Sequence, residues 1–322
     1  MKSILEKLQK IGIVPVIKIE DKKDAVPLAK ALYEGGLPCA EVTFRTPACV
    51  ESIHMIKEAY PSMIVGAGTV LTREQVDQAM KAGAQFIVSP GLNPLIVKYC
   101  EEKQIPIIPG CANPSDIEQA LQYGLELVKF FPAEAAGGLN MIKSMSAPYG
   151  NMKFMPTGGI NKKNLRSYLD FEKIIACGGT WMVSGDLIEN GEFEKIKDLT
   201  KDAVETMLGF ELAHVGLNME SAEDANQTVK TFEGLFGFSK SENPNSIFAG
   251  RYIEAMKAPY LGKNGHIGIF TIDIERAVYH LERQGVVFNK ESAKFSPESK
   301  LTAIYLEQEI GGFAVHLVQK SK

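Results

Sequence analysis

From residue 13 to about residue 210 the chain repeats one unit eight times, a short β-rich run followed by a helical stretch. The runs fall at 13–19, 39–45, 63–70, 86–91, 106–110, 127–132, 153–159 and 174–181. Segments with polar starts and helical apolar spacing separate them, among them 24–34, 73–82 and 163–169. Near-continuous apolar strands need cover on both faces, which the intervening helices supply. Eight such units predict an α/β fold, a parallel sheet closed into a (β/α)8 TIM barrel. An open, doubly wound sheet is the competing architecture, and the even spacing favours closure.

The character changes near Phe210. All five cysteines (Cys39, Cys49, Cys100, Cys111, Cys177) precede this point, whereas four of the five histidines (His214, His266, His280, His316) follow it. The tail also repeats itself: His214-Val-Gly-Leu opens one half and His266-Ile-Gly-Ile the other. Each opening strand is followed by a helical stretch, 222–236 and then 274–284, and afterwards by several short strands. Two βαβββ-like halves predict a paired-module α+β domain, because a solenoid needs more copies. The expected organisation is a barrel over 1–208 and this second domain over 211–322.

Charge and composition narrow the function. A formal net charge of -4 argues against nucleic acid as a partner, since phosphate binding calls for a basic stripe. No apolar run reaches the ~18 residues of a membrane span. The start, Met1-Lys-Ser-Ile-Leu-Glu-Lys, lacks the apolar core of a secretory signal and reads as a short amphipathic helix. Cysteines without a CxxC pair read as reduced, mostly buried thiols. The expectation is a cytoplasmic enzyme.

Barrel enzymes place their chemistry where strands end and loops begin. The sharpest candidate is Lys129, in Leu127-Val-Lys-Phe-Phe-Pro-Ala-Glu134. A lysine in an apolar strand is costly unless neutralised or paired. Period-two alternation puts Leu127, Lys129 and Phe131 on one face. Desolvation there favours the neutral amine, the form that attacks a carbonyl and makes an imine. Two plainer readings stay open: a lysine snorkelling outward at a strand end, or one paired structurally with a carboxylate.

The second strand, Glu41-Val-Thr-Phe-Arg45, places Glu41, Thr43 and Arg45 on one face. A carboxylate near an imine-forming lysine can move protons, and an arginine fork suits a keto-acid carboxylate. The plainer alternative is a structural ion pair between Glu41 and Arg45 at the barrel rim. Glycine-rich strand ends follow at Gly66-Ala-Gly-Thr69, Pro156-Thr-Gly-Gly-Ile160 and Cys177-Gly-Gly-Thr-Trp181. Loops after strands seven and eight are the usual phosphate cradle of a barrel, where glycine permits positive φ and close backbone approach. A metal-dependent aldol cleavage needs several histidine or acidic ligands. The barrel segment has one histidine, His54, in a helical run, so the amine route is favoured.

These strings, with Val65-Gly-Ala-Gly-Thr-Val-Leu71 and Ser89-Pro-Gly91, resemble the 2-keto-3-deoxy-6-phosphogluconate / 4-hydroxy-2-oxoglutarate aldolase family over nearly all of 1–208. The resemblance implies a class I aldolase on a (β/α)8 barrel, commonly a homotrimer, with no dissociable cofactor. It makes Lys129 the imine lysine and Glu41 the proton-transferring residue. Arg45 and Thr69 match positions that hold the pyruvate moiety, with Thr157 nearby. Pro90 and Phe131 match pocket-lining residues, and Gly158, Gly159, Gly179 and Thr180 fall on the phosphate site. Two departures stand out: Thr180 replaces a frequent serine but keeps the hydroxyl, and Asn140 stands where a lysine is often seen. The implied reaction is cleavage of a small-molecule keto-acid sugar phosphate to pyruvate and an aldehyde.

Residues 211–322 resemble the vicinal-oxygen-chelate superfamily, to which glyoxalase I belongs. The resemblance implies a divalent metal site at His214, Glu254, His266 and His316, residue types able to bind Zn²⁺, Ni²⁺, Mn²⁺ or Fe²⁺. His316 departs from glyoxalase I, which has a carboxylate there. A metal-free binding module with ordinary strand side chains remains the alternative, and His280, in a helical run, reads as structural. An overall alternative makes the chain a ligand-sensing or metal-binding fusion in which the C-terminal part carries the main role. Lys129, Glu41 and Arg45 weigh against it, because a scaffold has no use for a buried unpaired amine.

Overall fold

The computed structural model describes residues 2–321. Contacts divide the chain into two compact units, the first ending at Met207 and the second beginning at Leu208.

In the first unit the apolar runs become strands β1 (Ile13–Ile17), β2 (Cys39–Thr43), β3 (Ile64–Gly68), β4 (Phe86–Val88), β5 (Ile107–Ile108), β6 (Leu127–Phe130), β7 (Lys153–Pro156) and β8 (Cys177–Gly179). Every residue of β1, β2 and β3 is buried, as sheet covered on both faces requires. All pairings are parallel, in the order β5-β4-β3-β2-β1-β8 with β6 and β7 as a separate pair. Isolated parallel bridges join the pieces, Gly110 to Lys129 on one side and Thr157 to Gly178 on the other. The result is a curled, barrel-like parallel sheet.

Strand β5 is shorter than the run that predicts it. Pro106 and Pro109 flank it and have no N–H to give to a ladder, so only Ile107 and Ile108 pair regularly. Helix starts follow local chemistry. Thr72 and Gln75 form a reciprocal capping box at Arg73–Lys81, and Asn93 and Asn113 cap helices that begin with Pro94 and Pro114. Asp24 belongs to a single 3₁₀ turn, Lys22–Asp24, ahead of the helix Ala25–Glu34.

The second unit runs β9 (Glu211–Asn218), helix Ala222–Phe236, β10 (Lys240–Glu242), β11 (Ser246–Ala249) and β12 (Ile253–Met256), then the same series again. The second series is β13 (His266–Thr271), helix Ile274–Glu282, β14 (Phe288–Phe295), β15 (Leu301–Leu306) and β16 (Ala314–Gln319). One mixed sheet results, ordered β10-β11-β12-β9-β13-β16-β15-β14. The two opening strands, β9 and β13, lie antiparallel at its centre, and each pairs in parallel with the last strand of its own half. Ala225 and Val229 of the first helix bury against Ile247, Ala249 and Ala255, a core of small and β-branched side chains.

Candidate active site

The carboxyl ends of the barrel-like strands surround a cavity of about 170 Å³. Its lining contains each barrel residue expected to do the chemistry or hold substrate: Glu41, Arg45, Thr69, Pro90, Lys129, Phe131, Thr157, Gly158, Gly159, Gly179 and Thr180. Val16, Thr43 and Ile160 complete it. Alternation in β2 delivers Glu41 and Thr43, with Arg45 just past the strand end, while β6 delivers Lys129, with Phe131 just past its end.

Lys129 Nζ donates to Glu41 Oε1 at 3.0 Å, and the two side chains are 7% and 0% exposed. Lys129 is therefore not the unpaired amine that its strand suggests when read alone. Breaking such a buried pair by removing one partner typically costs ~3–5 kcal/mol, because the other charge is stranded. Glu41 Oε2 is buried without a partner among the described residues, an acceptor held ready inside the cavity. Gly68 makes room for this carboxylate, since a Cβ there would lie 2.3 Å from Glu41 Oε1. The Lys129 ammonium also sits 5.5 Å from the centroid of the Phe131 ring.

The remaining groups surround this pair. Thr43 Oγ1 donates to Ile17 O at 2.8 Å and accepts from Arg45 Nε at 3.2 Å, orienting the guanidinium at the mouth. Thr69 holds φ 55, a left-handed backbone uncommon for a residue with a branched side chain. Thr157 Oγ1 is buried without a partner among the described residues and fits because residue 178 is glycine, where a Cβ would lie 2.2 Å away. Gly158 and Gly159 have φ of 102 and 81, values that glycine adopts without strain. Gly68 and Gly178 were visible in the sequence only as glycine-rich strand ends; which side chain each admits is fixed by register between strands. Asn140 is exposed and outside the lining, and His54 is exposed on the helix Cys49–Ala59 with Nε2 3.5 Å from Glu58 Oε1.

The second unit has a cavity of about 680 Å³ whose lining includes His214, Glu254, His266 and His316. The Nε2 atom of His214 lies 3.2 Å from those of His266 and of His316. Glu254 Oε2 is 3.0 Å from His266 Nε2 and 3.3 Å from His214 Nε2. Neighbouring ligand atoms around one ion with ~2.0–2.2 Å bonds stand about this far apart. Burial pushes His316 down to about 3, aided by the other two imidazoles, and lowers His214 against the pull of Glu254. Burial raises the Glu254 carboxyl, but hydrogen bonds from His266 and Ser246 outweigh this and leave it below the usual range. Neutral imidazoles and an ionised carboxylate are the forms that bind metal. The residues present thus fit a divalent cation. His280 is buried within the helix Ile274–Glu282 and does not line this cavity.

A curled parallel sheet with a buried lysine–glutamate pair at its carboxyl mouth defines an aldolase-type α/β unit. The sequence profile of the KDPG and KHG aldolase family matches residues 4–199, and the chain belongs to that family. It is 46% identical over 205 residues to the 2-dehydro-3-deoxy-phosphogluconate aldolase of Treponema pallidum, covering 64% of this chain and 98% of the relative. It is 43% identical over 193 residues to the KHG/KDPG aldolase of Escherichia coli, covering 60% of this chain and 91% of the relative. Among solved structures, the KDPG aldolase of Legionella pneumophila, with pyruvate captured as a covalent carbinolamine, superposes with TM-score 0.61 at 37% identity. That match covers 63% of this chain and 99% of the Legionella chain. No helix of the described residues is long and apolar enough to cross a membrane.

Proposed function

We propose that the barrel-like unit is a class I, Schiff-base aldolase that cleaves 2-keto-3-deoxy-6-phosphogluconate to pyruvate and glyceraldehyde 3-phosphate. Its second substrate is 4-hydroxy-2-oxoglutarate, cleaved to pyruvate and glyoxylate. The observation that carries this reading is the 3.0 Å contact between Lys129 Nζ and Glu41 Oε1 inside the cavity. Transfer of one proton from the ammonium to Glu41 leaves a neutral amine, which attacks the C2 ketone. The same proton then leaves with the carbinolamine hydroxyl as water, giving the imine. The protonated imine takes up the electron pair of the breaking C3–C4 bond, while the Glu41 carboxylate accepts the C4 hydroxyl proton. Protonation of the enamine at C3 and hydrolysis release pyruvate and restore Lys129. Arg45 pairs with the substrate carboxylate, Thr69 and Thr157 flank the pyruvate moiety, and Pro90 and Phe131 wall the pocket. Gly158, Gly159, Gly179 and Thr180 receive the phosphate through backbone N–H groups and one hydroxyl. The aldolase uses no dissociable cofactor. It works in the cytoplasm as a homotrimer, a setting that suits the five buried free thiols and the exposed Leu71 and Leu95.

Borohydride trapping with pyruvate, followed by peptide mapping, tests the reading. A reduced adduct on Lys129 that survives a chelator and vanishes in Lys129→Met is the expected result. A folded protein that gives no adduct overturns it.

The second unit is, on this reading, a vicinal-oxygen-chelate domain whose His214, Glu254, His266 and His316 hold one divalent cation. A cation there supplies Lewis-acid polarisation of an oxygen ligand. The three imidazoles, whose ligand nitrogens lie within 4.8 Å of one another, and the contacts of Glu254 with His214 and His266 support this, and one equivalent of metal by elemental analysis, lost in His214→Ala, is the expected measurement.

A further inference from the structure

Tyr168 and Glu134 form a contact that the imine chemistry does not use. Tyr168, on the helix Leu165–Leu169, is 2% exposed and donates its hydroxyl to Glu134 Oε1. Burial and the adjoining carboxylate push its ionisation up, so it remains a donor throughout the working range. Glu134 in turn grips the glycine loop after β7. Its amide donates to Gly158 O at 3.0 Å, beside the bond from Ala133 N to Thr157 O at 2.8 Å. Its side chain packs against Gly159, where a Cβ would lie 2.5 Å from Glu134 Cγ. Just past the loop, the side-chain Nδ2 groups of Asn161 and Asn164 each donate to Gly159 O at 3.1 Å.

The loop is thus held by its carbonyls and by contact with one glutamate. That leaves its N–H groups as the free part of its hydrogen-bonding capacity, because the amides of Gly158, Gly159 and Ile160 have no partner within the described chain. Three donors in sequence, two on glycines at positive φ, form an anion nest only while the loop keeps this shape. Glu134 poses an opposing problem, since a carboxylate beside a phosphate repels it. Tied to Tyr168, it stays out of the cavity lining.

We propose that Tyr168, acting through Glu134, is a positioning residue for the phosphate-binding loop and so sets the preference for phosphorylated over unphosphorylated substrates. The proposal rests on the phosphate role given above to Gly158 and Gly159. It concerns only the end of the substrate remote from Lys129, which separates it from a general structural role.

Steady-state kinetics on wild type and Tyr168→Phe, with 2-keto-3-deoxy-6-phosphogluconate and with 4-hydroxy-2-oxoglutarate, test it. KM for the phosphorylated substrate should rise about tenfold with kcat within about twofold, and both constants for 4-hydroxy-2-oxoglutarate should stay near wild type. Glu134→Gln keeps an acceptor for the Tyr168 hydroxyl and should retain near-wild-type selectivity. Equal changes with both substrates, or none with either, overturn the positioning role while leaving the phosphate site intact. A wild-type enzyme that shows no preference for the phosphorylated substrate overturns the phosphate site itself, and this proposal with it.

Discussion

His214 and His266 each occupy the space left by a glycine two residues beyond the other. His266 lies opposite Gly216 across the central strand pair and His214 lies opposite Gly268. A Cβ on Gly216 would come within 2.0 Å of His266 Cε1, and one on Gly268 within 2.5 Å of His214 Cε1. Gly216→Ala should therefore displace His266 and weaken the metal binding proposed for this cluster at least about tenfold, with the sheet otherwise intact. Titration calorimetry with Zn²⁺, beside circular dichroism, checks this; unchanged affinity in a folded variant would remove the four-residue cluster as the metal site.

Glu41→Gln keeps a hydrogen-bonding partner for Lys129 but removes the proton acceptor. A loss of about 10²–10⁴ in kcat with a small change in KM is expected, as for loss of a general base. Single-turnover borohydride trapping should still label Lys129, at a lower rate.

Gly68→Ala reaches the same carboxylate from the other side. The new methyl group would lie 2.3 Å from Glu41 Oε1, in a strand already paired on both flanks. The carboxylate has to give way, so kcat should fall while the neighbouring Gly91→Ala, with nothing within 4 Å of its Cβ, stays active. Equal activity of the two variants would show that the position of Glu41 is not critical.

Burial pushes the thiols of Cys100 and Cys111 up to about 12. Near pH 8 only about one in 10⁴ of each is thiolate, so an aromatic disulfide reagent should react with neither until the protein unfolds. These groups hold their protons more tightly folded than unfolded. Their contribution to stability is therefore complete below pH 9.0, their ordinary value, and declines as pH rises towards about 12. Denaturant midpoints measured from pH 8 upward should fall accordingly.

The centre of the barrel cavity was legible from the sequence because its residues break local rules, whereas Thr69, Pro90, Phe131 and Thr157 entered through the family resemblance. Lys129 interrupts an apolar strand, Glu41, Thr43 and Arg45 alternate in another, and Gly-Gly pairs end two more. What the sequence hid depends on register. The bridge from Gly110 to Lys129, the match of Gly68 with Glu41 and the bond from Tyr168 to Glu134 all join residues far apart in the chain. Nothing local to Tyr168 distinguishes it from any buried tyrosine on an amphipathic helix. Strand β5 is shorter than its apolar run for a different reason, the two flanking prolines that cannot donate to a ladder.

In the mixed sheet, Gly216 lies between Glu254 and His266, and Gly268 between His214 and His316. Each row draws its side chains from both repeats, so neither half of the domain owns the cluster: His214 and Glu254 come from one, His266 and His316 from the other. On the metal reading proposed above, a cation gripped there would act as a rivet between the halves. Separating them means giving it up, so mechanical and thermal resistance of this domain should track metal concentration. At a free metal concentration a thousandfold above its Kd, the rivet adds about 4 kcal/mol.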